Sequence, residues 1–378
     1  MTKVVFIAKT DLNTDGRILN QIKIIEQSLP EIMIDFILLP DKPLKINTGK
    51  YVKVHSINTL IRHNKYLRFL TTMEFIFKSL VLMLRLKPQV VHAQDSAVAI
   101  PVLIYRLIKS KSFKLIYDDH EMPSENASFN NRIFHSFENI LMKKSDYVIF
   151  ANKERMDILK ERKNLKNKCI YFLNLPYFEN ETKALSCLDE KTKIKLSELD
   201  GLIHRGYKFI IHQGSLHIER GREKLARFSR IVAPNFKILL LGGDKKDFDK
   251  FIDEYDLETK DFYFIGSVNY LILPVFWERG IASIVMYLPT YINNKLCAPN
   301  RLYISLQKNL PIIVNKDNPV LSNFIKEYHC GVYIEDITKE NFNDKIDIQI
   351  DSVFLNSLKT NQIESFIDVY QTLKNVIN

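Results

Sequence analysis

The chain has 378 residues, of which 46% are hydrophobic and 26% are charged. This balance is typical of a folded globular protein and excludes a largely disordered chain. The length exceeds what one ordinary hydrophobic core accommodates and suits two α/β domains of roughly 170 residues each. The first apolar run is too short for a secretory signal peptide, so we expect a cytoplasmic protein.

The net charge of +10 is unevenly distributed along the chain. Residues 1–175 contain 28 Lys and Arg against 17 Asp and Glu, whereas residues 176–378 contain 26 against 27. A basic half of this kind is typical of proteins that bind a polyanionic surface, either anionic lipid or nucleic acid. No zinc, helix-turn-helix or aromatic RNA-binding motif supports nucleic acid. We therefore expect an anionic membrane surface as partner, and no nucleic acid.

The first half alternates short apolar runs with helical patterns, which is typical of βαβ units around a parallel sheet. In chain order, the patterns predict a strand over 3–8, a helix over 17–29, strands over 31–39, 53–57 and 89–93, a helix over 95–109, a strand over 114–117, a helix over 131–144, a strand over 147–151 and a helix over 153–163. We expect residues 1–175 to form one Rossmann-like domain.

Residues 60–87 combine apolar side chains at helical spacing with six basic residues. These are Arg62, Lys65, Arg68, Lys78, Arg85 and Lys87. No apolar run reaches the about 18 residues that a membrane-spanning helix needs. Two structures fit the pattern: a basic amphipathic helix in the lipid interface, or a helix packed on the first sheet with a solvated basic edge. The charge of the first half favours the lipid interface.

The second half begins after a polar connection over residues 176–206, which we expect to contain a short helix. A second α/β series then predicts a Rossmann-like domain over 207–360. Its predicted strands are 208–213, 237–241, 262–265, 282–286, 311–314 and 331–334, and its predicted helices are 221–232, 247–255, 300–307 and 319–327. Eight of the eleven glycines fall between 201 and 280, which indicates tight turns that a phosphate can approach. The last segment, 361–378, predicts a helix that packs back toward the first domain.

Four groups of residues, in this order, resemble glycosyltransferase family 4, in particular its bacterial "YDSHE"-motif members. They are DLNTDGR at 11–17, VVHAQD at 90–95, IYDDHE at 116–121, and a last group in the second domain made of HQGSLHIERG at 212–221, LLLGGD at 239–244, FIGSV at 264–268 and APNRLYISLQKNLPIIV at 298–314. The resemblance implies an α/β chain with the GT-B fold, in which two doubly wound, Rossmann-like domains face each other across a cleft. It also implies a retaining glycosyltransferase with no obligate metal or other cofactor.

The resemblance implies that the second domain binds the nucleotide sugar, a UDP- or GDP-sugar. Cations and helix N–H groups suit a diphosphate leaving group, because it gains negative charge in the transition state. Arg220 and Lys224, four residues apart, are predicted to point at one site. The full set of predicted donor residues is Gly16, Gly214, Arg220, Lys224, Gly266, Val268, Asn300, Arg301, Leu302 and Tyr303.

The resemblance places the catalytic centre of the first domain at His120 and Glu121. Predicted residues on the acceptor side are Asp11, Arg17, His92 and Asp95, and for His92 and Asp95 either acceptor binding or support of His120 fits. Asp118 and Asp119 raise the question of a metal site. Neighbouring residues of a strand point to opposite faces, so we expect no metal.

The sequence departs from the family where a glutamate commonly holds the ribose of the donor. That position is Ile304, an earlier glutamate position is Leu296, and Ser215 stands where many relatives have Arg. Either another residue, such as Asn293, Asn294 or Tyr303, holds the ribose, or donor binding is weak, or the chain is a degenerate member.

The sequence as a whole predicts a hexosyl- or N-acetylhexosaminyltransferase of bacterial cell-surface glycan assembly, such as capsule, O-antigen or exopolysaccharide. We expect it at the inner face of the plasma membrane, with a lipid-linked or polysaccharide acceptor. The alternatives are a non-catalytic scaffold or partner of an active transferase, and a sugar-nucleotide epimerase.

Overall fold

The fold was derived from a computed structural model, which describes residues 2–13, 15–44, 51–60, 68–110, 112–120, 122, 129–175, 185, 188–268 and 272–377. The chain divides into two compact units. The first contains Met1–Leu173 together with Lys359–Asn378, and the second contains Asn174–Leu358. Each unit is built on its own parallel sheet.

The first unit is a seven-stranded parallel sheet in the order β3-β2-β1-β4-β5-β6-β7. Its strands are β1 (Thr2–Thr10), β2 (Ile32–Pro40), β3 (Val52–Ser56), β4 (Val90–Gln94), β5 (Lys114–Asp119), β6 (Tyr147–Phe150) and β7 (Lys168–Tyr171). Its first five helices are α1 (Gly16–Ser28), α2 (Arg68–Leu86), α3 (Ala99–Lys109), α4 (Phe129–Lys144) and α5 (Lys153–Arg162). The strand order reverses between β1 and β4, and ligands of doubly wound sheets bind at the carboxyl ends of the strands at such a point.

The second unit is a six-stranded parallel sheet in the order β10-β9-β8-β11-β12-β13. Its strands are β8 (Lys208–Gln213), β9 (Phe236–Leu241), β10 (Phe262–Gly266), β11 (Gly280–Val285), β12 (Ile312–Val314) and β13 (Gly331–Tyr333). Its helices are α6 (Glu190–His204), α7 (Arg222–Ser229), α8 (Lys245–Tyr255), α9 (Leu273–Trp277), α10 (Ile292–Lys295), α11 (Asn300–Gln307), α12 (Pro319–Tyr328) and α13 (Phe342–Ile346). The order reverses between β8 and β11. The sheet is covered on both faces, by one apolar cluster that includes Phe228 and Phe251 and by another that includes Trp277 and Ile304.

The last helix, α14 (Ser352–Ile377), completes the core of the first unit. Phe366, Val369, Tyr370 and Leu373 are buried in the same apolar cluster as the residues of β1 and α1. Their spacing of three and four residues gives α14 one continuous apolar stripe. The end of the chain is therefore a structural part of the first sheet's covering layer.

Several elements differ from the sequence-based expectation, and the short helices α9, α10 and α13 had no predicted counterpart. The connection between the two domains contains α6, a helix of 15 residues rather than a short one. Strand β7 had no predicted counterpart, because an edge strand of only four partly exposed residues lacks a buried apolar run. Helix α14 begins nine residues before the predicted start at 361, because its first turns are largely exposed and include many polar residues.

Helix α2 packs on the first unit with one face, as one of the two predicted structures requires, and the placement in a lipid interface stays a prediction. Its inner face packs on the protein, since Phe75, Ile76, Ser79 and Met83 are buried. Its outer face carries large exposed apolar side chains. These are Phe69, Leu70, Met73 and Phe77. Arg62 and Lys65 lie outside the described residues, and no described helix is long and apolar enough to cross a membrane.

Candidate functional site

A buried carboxylate, Asp118, organises the edge of the first sheet where β5 ends. Arg17 on α1 forms an ion pair with it, with 2.7 Å between Arg17 Nη2 and Asp118 Oδ1. Gln21 on the same helix donates its side-chain amide to Asp118 Oδ2. Burial favours the neutral carboxyl, but Arg17 and His120 outweigh it and hold the pKa of Asp118 well below its usual range. Asp118 is therefore a fixed negative charge beside His120.

His120 follows β5 and is held from three sides. Its Nε2 lies 2.6 Å from Gln94 Oε1 and 3.6 Å from Asp118 Oδ2. Arg155 on α5 donates from Nη1 to the backbone oxygen of His120 at 2.6 Å. Burial disfavours the imidazolium, but the Asp118 carboxylate outweighs burial and raises the pKa of His120. A histidine with a fixed orientation and a stabilised positive charge suits a site where negative charge develops.

Two of the predicted acceptor-side residues are buried in the first unit rather than placed at its surface. Arg17 also donates from Nη1 to the backbone oxygen of Phe172 at 2.8 Å. His92 Nδ1 lies 2.6 Å from the hydroxyl of Tyr370 on α14, and burial lowers the pKa of His92 to about 3, so its ring is neutral. Neither side chain is accessible to an acceptor. Arg17 pairs with Asp118, and His92 Nε2 lies 3.9 Å from Asp118 Oδ2, so both lie close to the carboxylate that faces His120.

The other predicted residues of the first unit lie in loops at the same sheet edge. Asp11 Oδ1 accepts from the side-chain amide of Asn13 at 2.9 Å, and Asp11 Oδ2 lies 3.5 Å from Lys42 Nζ. Asp95 caps a short turn by accepting from the backbone N–H of Ser96 at 2.8 Å. Gly16 is the first residue of α1. The predicted catalytic residue Glu121 lies outside the described residues.

Asp119 points to the opposite face of the sheet from Asp118, as the alternation of strand side chains predicts. Its carboxylate is buried, and within the described residues neither oxygen has a hydrogen-bond partner. Burial, with help from the charges of Glu138 and Asp95, raises the pKa of Asp119 to about 7, although Arg155 opposes the shift. No group of three or more potential metal ligands occurs in the part of the chain that the structure describes.

Glycines with left-handed backbone end three neighbouring strands of the second sheet. Gly214 (φ +130°) follows β8, Gly242 (φ +108°) follows β9, and Gly266 (φ +83°) ends β10. The loops are connected, since Gly214 donates to Leu241 O and Gly242 donates to Gly266 O, each at 2.7 Å. A Cβ atom on Gly242 would lie 3.1 Å from Gly214 O. This edge therefore exposes backbone rather than side chains, as a phosphate-binding loop requires.

Arg301 on α11 crosses the point where the order of the second sheet reverses. Its Nη1 donates to the backbone oxygen of Gln213 at the end of β8. Its Nη2 donates to the backbone oxygen of Met286, just after β11, at 2.7 Å. The guanidinium is buried, and its Nε–H has no partner within the described residues. A Cβ atom on Gly214 would lie 2.9 Å from Arg301 Nη1, so only glycine leaves room for this side chain.

Arg220 brings a second guanidinium to the same place. It lies 3.7 Å from the ring centre of Tyr287, and Arg301 lies 5.0 Å from the same ring. The Nη1 of Arg220 is buried and has no described hydrogen-bond partner. Burial and the charge of Arg301 lower the pKa of Arg220 to about 10, and burial lowers that of Arg301 to about 10. Both groups remain charged at neutral pH, and neither forms an ion pair with a described carboxylate.

Lys224 does not join Arg220, contrary to the expectation from their spacing. Arg220 ends a short 3₁₀ turn, and α7 begins only at Arg222, so the two side chains do not share a helix face. Lys224 Nζ pairs with Glu335 and lies 3.2 Å from Asp317 Oδ1. Its charge is therefore neutralised at the surface.

The remaining predicted donor residues divide between the start of α11 and the core. Asn300 begins α11 after Pro299, which offers no side-chain acceptor at the N-cap. The Oδ1 of Asn300 accepts from the side-chain amide of Asn174. Leu302 and Tyr303 are buried, and the Leu302 N–H donates to Pro299 O at 2.9 Å, so this amide is already used within the helix. Val268 packs beside the cluster that contains Trp277.

The two positions at which the family has glutamates belong to the hydrophobic interior. Ile304 is fully buried in the cluster that includes Trp277, and Leu296 is also buried. Neither side chain offers a hydrogen bond to a ribose. Tyr287, which both arginines contact, was missed by the sequence analysis. The run of apolar residues before it predicts the end of β11, but its contact with Arg220 joins residues that are 67 positions apart.

Comparisons with known proteins identify the fold. No protein-family model and no curated protein sequence matches the chain. Sucrose-phosphate synthase from Thermosynechococcus elongatus matches over 100% of this chain and 99% of that chain, with a TM-score of 0.66 and 13% identity. WaaG, a glycosyltransferase involved in lipopolysaccharide biosynthesis, matches over 99% of this chain and 98% of its own chain, with a TM-score of 0.61 and 11% identity. Anabaena HepE in complex with UDP-glucose matches over 100% of this chain and 99% of its own chain, with a TM-score of 0.60 and 14% identity. The chain thus has the predicted GT-B fold of two Rossmann-like units.

Proposed function

We propose that this protein is a glycosyltransferase that binds the diphosphate of a nucleotide sugar at the carboxyl edge of the second sheet. The observation that carries the proposal is the pair of guanidinium groups, Arg220 and Arg301, beside Tyr287. Arg301 is buried, Arg220 is partly buried, and neither pairs with a described carboxylate. Two such like charges are unfavourable in a free protein, and an anion between them removes that cost. The backbone loop at Gly214, which has no side chain of its own, lies beside the Arg301 guanidinium.

The chemistry of the site favours a diphosphate over a simple carboxylate. Each arginine keeps one buried N–H without a described partner, and guanidinium donors bind phosphate oxygens strongly. The start of α11 adds the positive end of a helix dipole. Arg301 also supplies the cation that Ser215 does not, because it reaches the loop at Gly214 from another helix. HepE, which shares the fold, binds UDP-glucose, and this supports a UDP-sugar as the first donor to test.

The acceptor side of the proposal rests on the first unit. His120 is the proposed catalytic side chain, with a positive charge stabilised by Asp118. The basic first half and the exposed apolar side chains of α2 favour an acceptor at an anionic membrane, where the protein is proposed to act peripherally. The part that WaaG plays in lipopolysaccharide biosynthesis supports a cell-surface glycan as product. Transfer with retention and the absence of an obligate cofactor are the remaining parts of the proposal.

Titration calorimetry with UDP and GDP tests the donor site. Arg220→Ala is expected to weaken binding of the preferred nucleotide by about 10- to 100-fold, since it removes a charge-assisted hydrogen bond. Lys224→Ala is the matched control: it removes a neighbouring cation that pairs with Glu335, and the affinity should stay within about threefold. Equal losses in both variants would contradict the site, and binding of neither nucleotide at millimolar concentration would favour a non-catalytic scaffold.

A further inference from the structure

The outer face of the first unit contains an apolar groove that is separate from the site at the strand ends. It has a volume of about 530 Å³ and lies between α3 and α4. Apolar side chains of both helices line it. These are Ile100, Ile104 and Leu107 from α3, and Phe137 and Ile140 from α4. The volume is within the range of about 300–1,000 Å³ that is usual for sites of small organic ligands.

The groove belongs to a helical layer with an unusual amount of exposed apolar surface. Helix α3 contacts both α2 and α4. Leu107 is 77% exposed, Ile108 is 54% exposed and Ile140 is 43% exposed, and the exposed residues of α2 extend the same layer. Large apolar patches on a folded protein mark sites for a partner or a membrane.

Lys144 lines the groove, and two further lysines lie in the last turns of the helices that form it. Both α3 and α4 follow strands of one parallel sheet, so both end at the same edge of that sheet. The last turns of the two helices contribute Lys109, Lys143 and Lys144, and the groove itself reaches Ser110 and Lys144. None of these three lysines forms an ion pair with a carboxylate of the described residues. The groove thus combines an apolar trough with an uncompensated positive end.

We propose that the groove binds the hydrocarbon chain of an anionic membrane lipid, whose phosphate lies at the lysines that end α3 and α4. A chain with an anionic head matches both halves of the groove, whereas a second copy of this basic unit would bring like charges together. The inference rests on the proposed function only in naming a membrane as the source of the lipid. Its test requires neither a nucleotide nor sugar transfer.

The probes are lauroyl-lysophosphatidylglycerol and lauroyl-lysophosphatidylcholine, titrated into the full chain below their micelle concentrations. The unmodified protein should bind the anionic lipid at least tenfold more tightly than the zwitterionic lipid. The double variant Leu107→Gln, Ile140→Gln should lose at least tenfold in affinity for both lipids. Ile108→Gln is the matched control, because it removes an exposed apolar side chain of the same helix that does not line the groove. The double variant Lys143→Gln, Lys144→Gln should remove the preference for the anionic lipid. It should still bind the hydrocarbon chains of both lipids.

Three results would overturn the inference: equal affinity of the two lipids, an equal loss in the Ile108→Gln control, or dimerisation in sedimentation that the groove variants abolish. The last result would identify a second copy as the occupant. All replaced side chains are exposed, so thermal melts of the variants should match that of the unmodified chain. If the protein binds the anionic lipid as described but binds neither UDP nor GDP, the transferase proposal is refuted and the lipid-binding inference stands.

Discussion

In the proposed donor site, Arg301 lies beside the loop in which the family resemblance leads us to expect an arginine. The sequence has Ser215 where an arginine commonly follows the glycine, and the structure brings the Arg301 guanidinium to that loop. It is held there by two backbone oxygens from neighbouring strands. The space it needs exists only because residue 214 has no side chain.

Gly214→Ala therefore tests the arrangement at the scale of one methyl group. The new Cβ would lie 2.9 Å from Arg301 Nη1, so the guanidinium must move and UDP affinity should fall by about tenfold or more. Gly206→Ala is the control, since Gly206 also has a left-handed backbone (φ +89°) but nothing lies within 4 Å of its Cβ position. We expect Gly206→Ala to cost stability and to leave the affinity of the folded protein unchanged. Titration calorimetry with UDP on both variants tests this prediction. Equal UDP affinities of the two variants would contradict the proposed role of Gly214 in positioning Arg301.

Asp119 should make the stability of the protein depend on pH. Its folded-state pKa of about 7 lies above the about 3.9 of an unfolded chain, so the folded state holds the extra proton. The free energy of unfolding that Asp119 contributes therefore falls as pH rises from about 4 to about 7, by on the order of 1 kcal/mol per pH unit. Asp119→Asn keeps the neutral form and should remove this slope.

Denaturation of Asp119→Asn and the unmodified protein across that pH range measures the effect as a difference. His92 and His212 are buried and neutral, so their contribution to the free energy of unfolding rises with pH instead of falling. Both proteins contain these histidines, so their contribution cancels in the difference. The exposed Asp157→Asn is the control and should give no pH-dependent difference. A constant difference for Asp119→Asn would show that this carboxyl titrates normally.

The sequence predicted the local backbone position of several motif residues. His120 and Gly214 follow strands and Arg301 lies in the first turn of α11, whereas Arg220 ends a 3₁₀ turn before α7. Their roles in binding and catalysis stay predictions. What the sequence could not indicate is pairing over long distances. Lys224 pairs with Glu335, 111 residues away, and no local pattern indicated this contact. Burial of His92 beneath Tyr370 likewise depends on a helix 278 residues further along the chain.

At the scale of elements, α14 links the end of the chain to the stability of the first unit. Phe366 is fully buried against His92 and Phe172, so Phe366→Ala should cost about 3–5 kcal/mol. Hydrogen exchange should become faster in β1 and β4, while β8 and β11 keep their protection. Val353→Ala, in the same helix but 74% exposed, should change neither set of strands. Unchanged exchange in β1 after Phe366→Ala would contradict the role of this helix.

Most elements could be predicted because the central strands of both sheets are short, mostly buried apolar runs and their helices have one apolar stripe. The elements that escaped are those in which tertiary contacts replace a local pattern. Strand β7 pairs only with β6 at the sheet edge, and the first turns of α14 include exposed, polar residues.

At the scale of the whole molecule, the two units divide the proposed tasks. The second unit is nearly neutral overall, yet it concentrates two unpaired guanidinium groups where its strand order reverses. The first unit carries the excess positive charge, the exposed apolar helices and His120. The fold alone, shared with proteins that are 14% identical or less, does not determine which sugar is transferred.

The most direct measurement is a crystal structure of this protein with UDP, and a second one with GDP. The account predicts diphosphate oxygens within about 2.7–3.2 Å of guanidinium nitrogens of Arg220 and Arg301, beside the backbone of Gly214. It also predicts that Lys224 keeps its pair with Glu335 in the complex. A nucleotide bound elsewhere, or none bound at millimolar concentration while the two arginines keep their present contacts, would contradict the central claim.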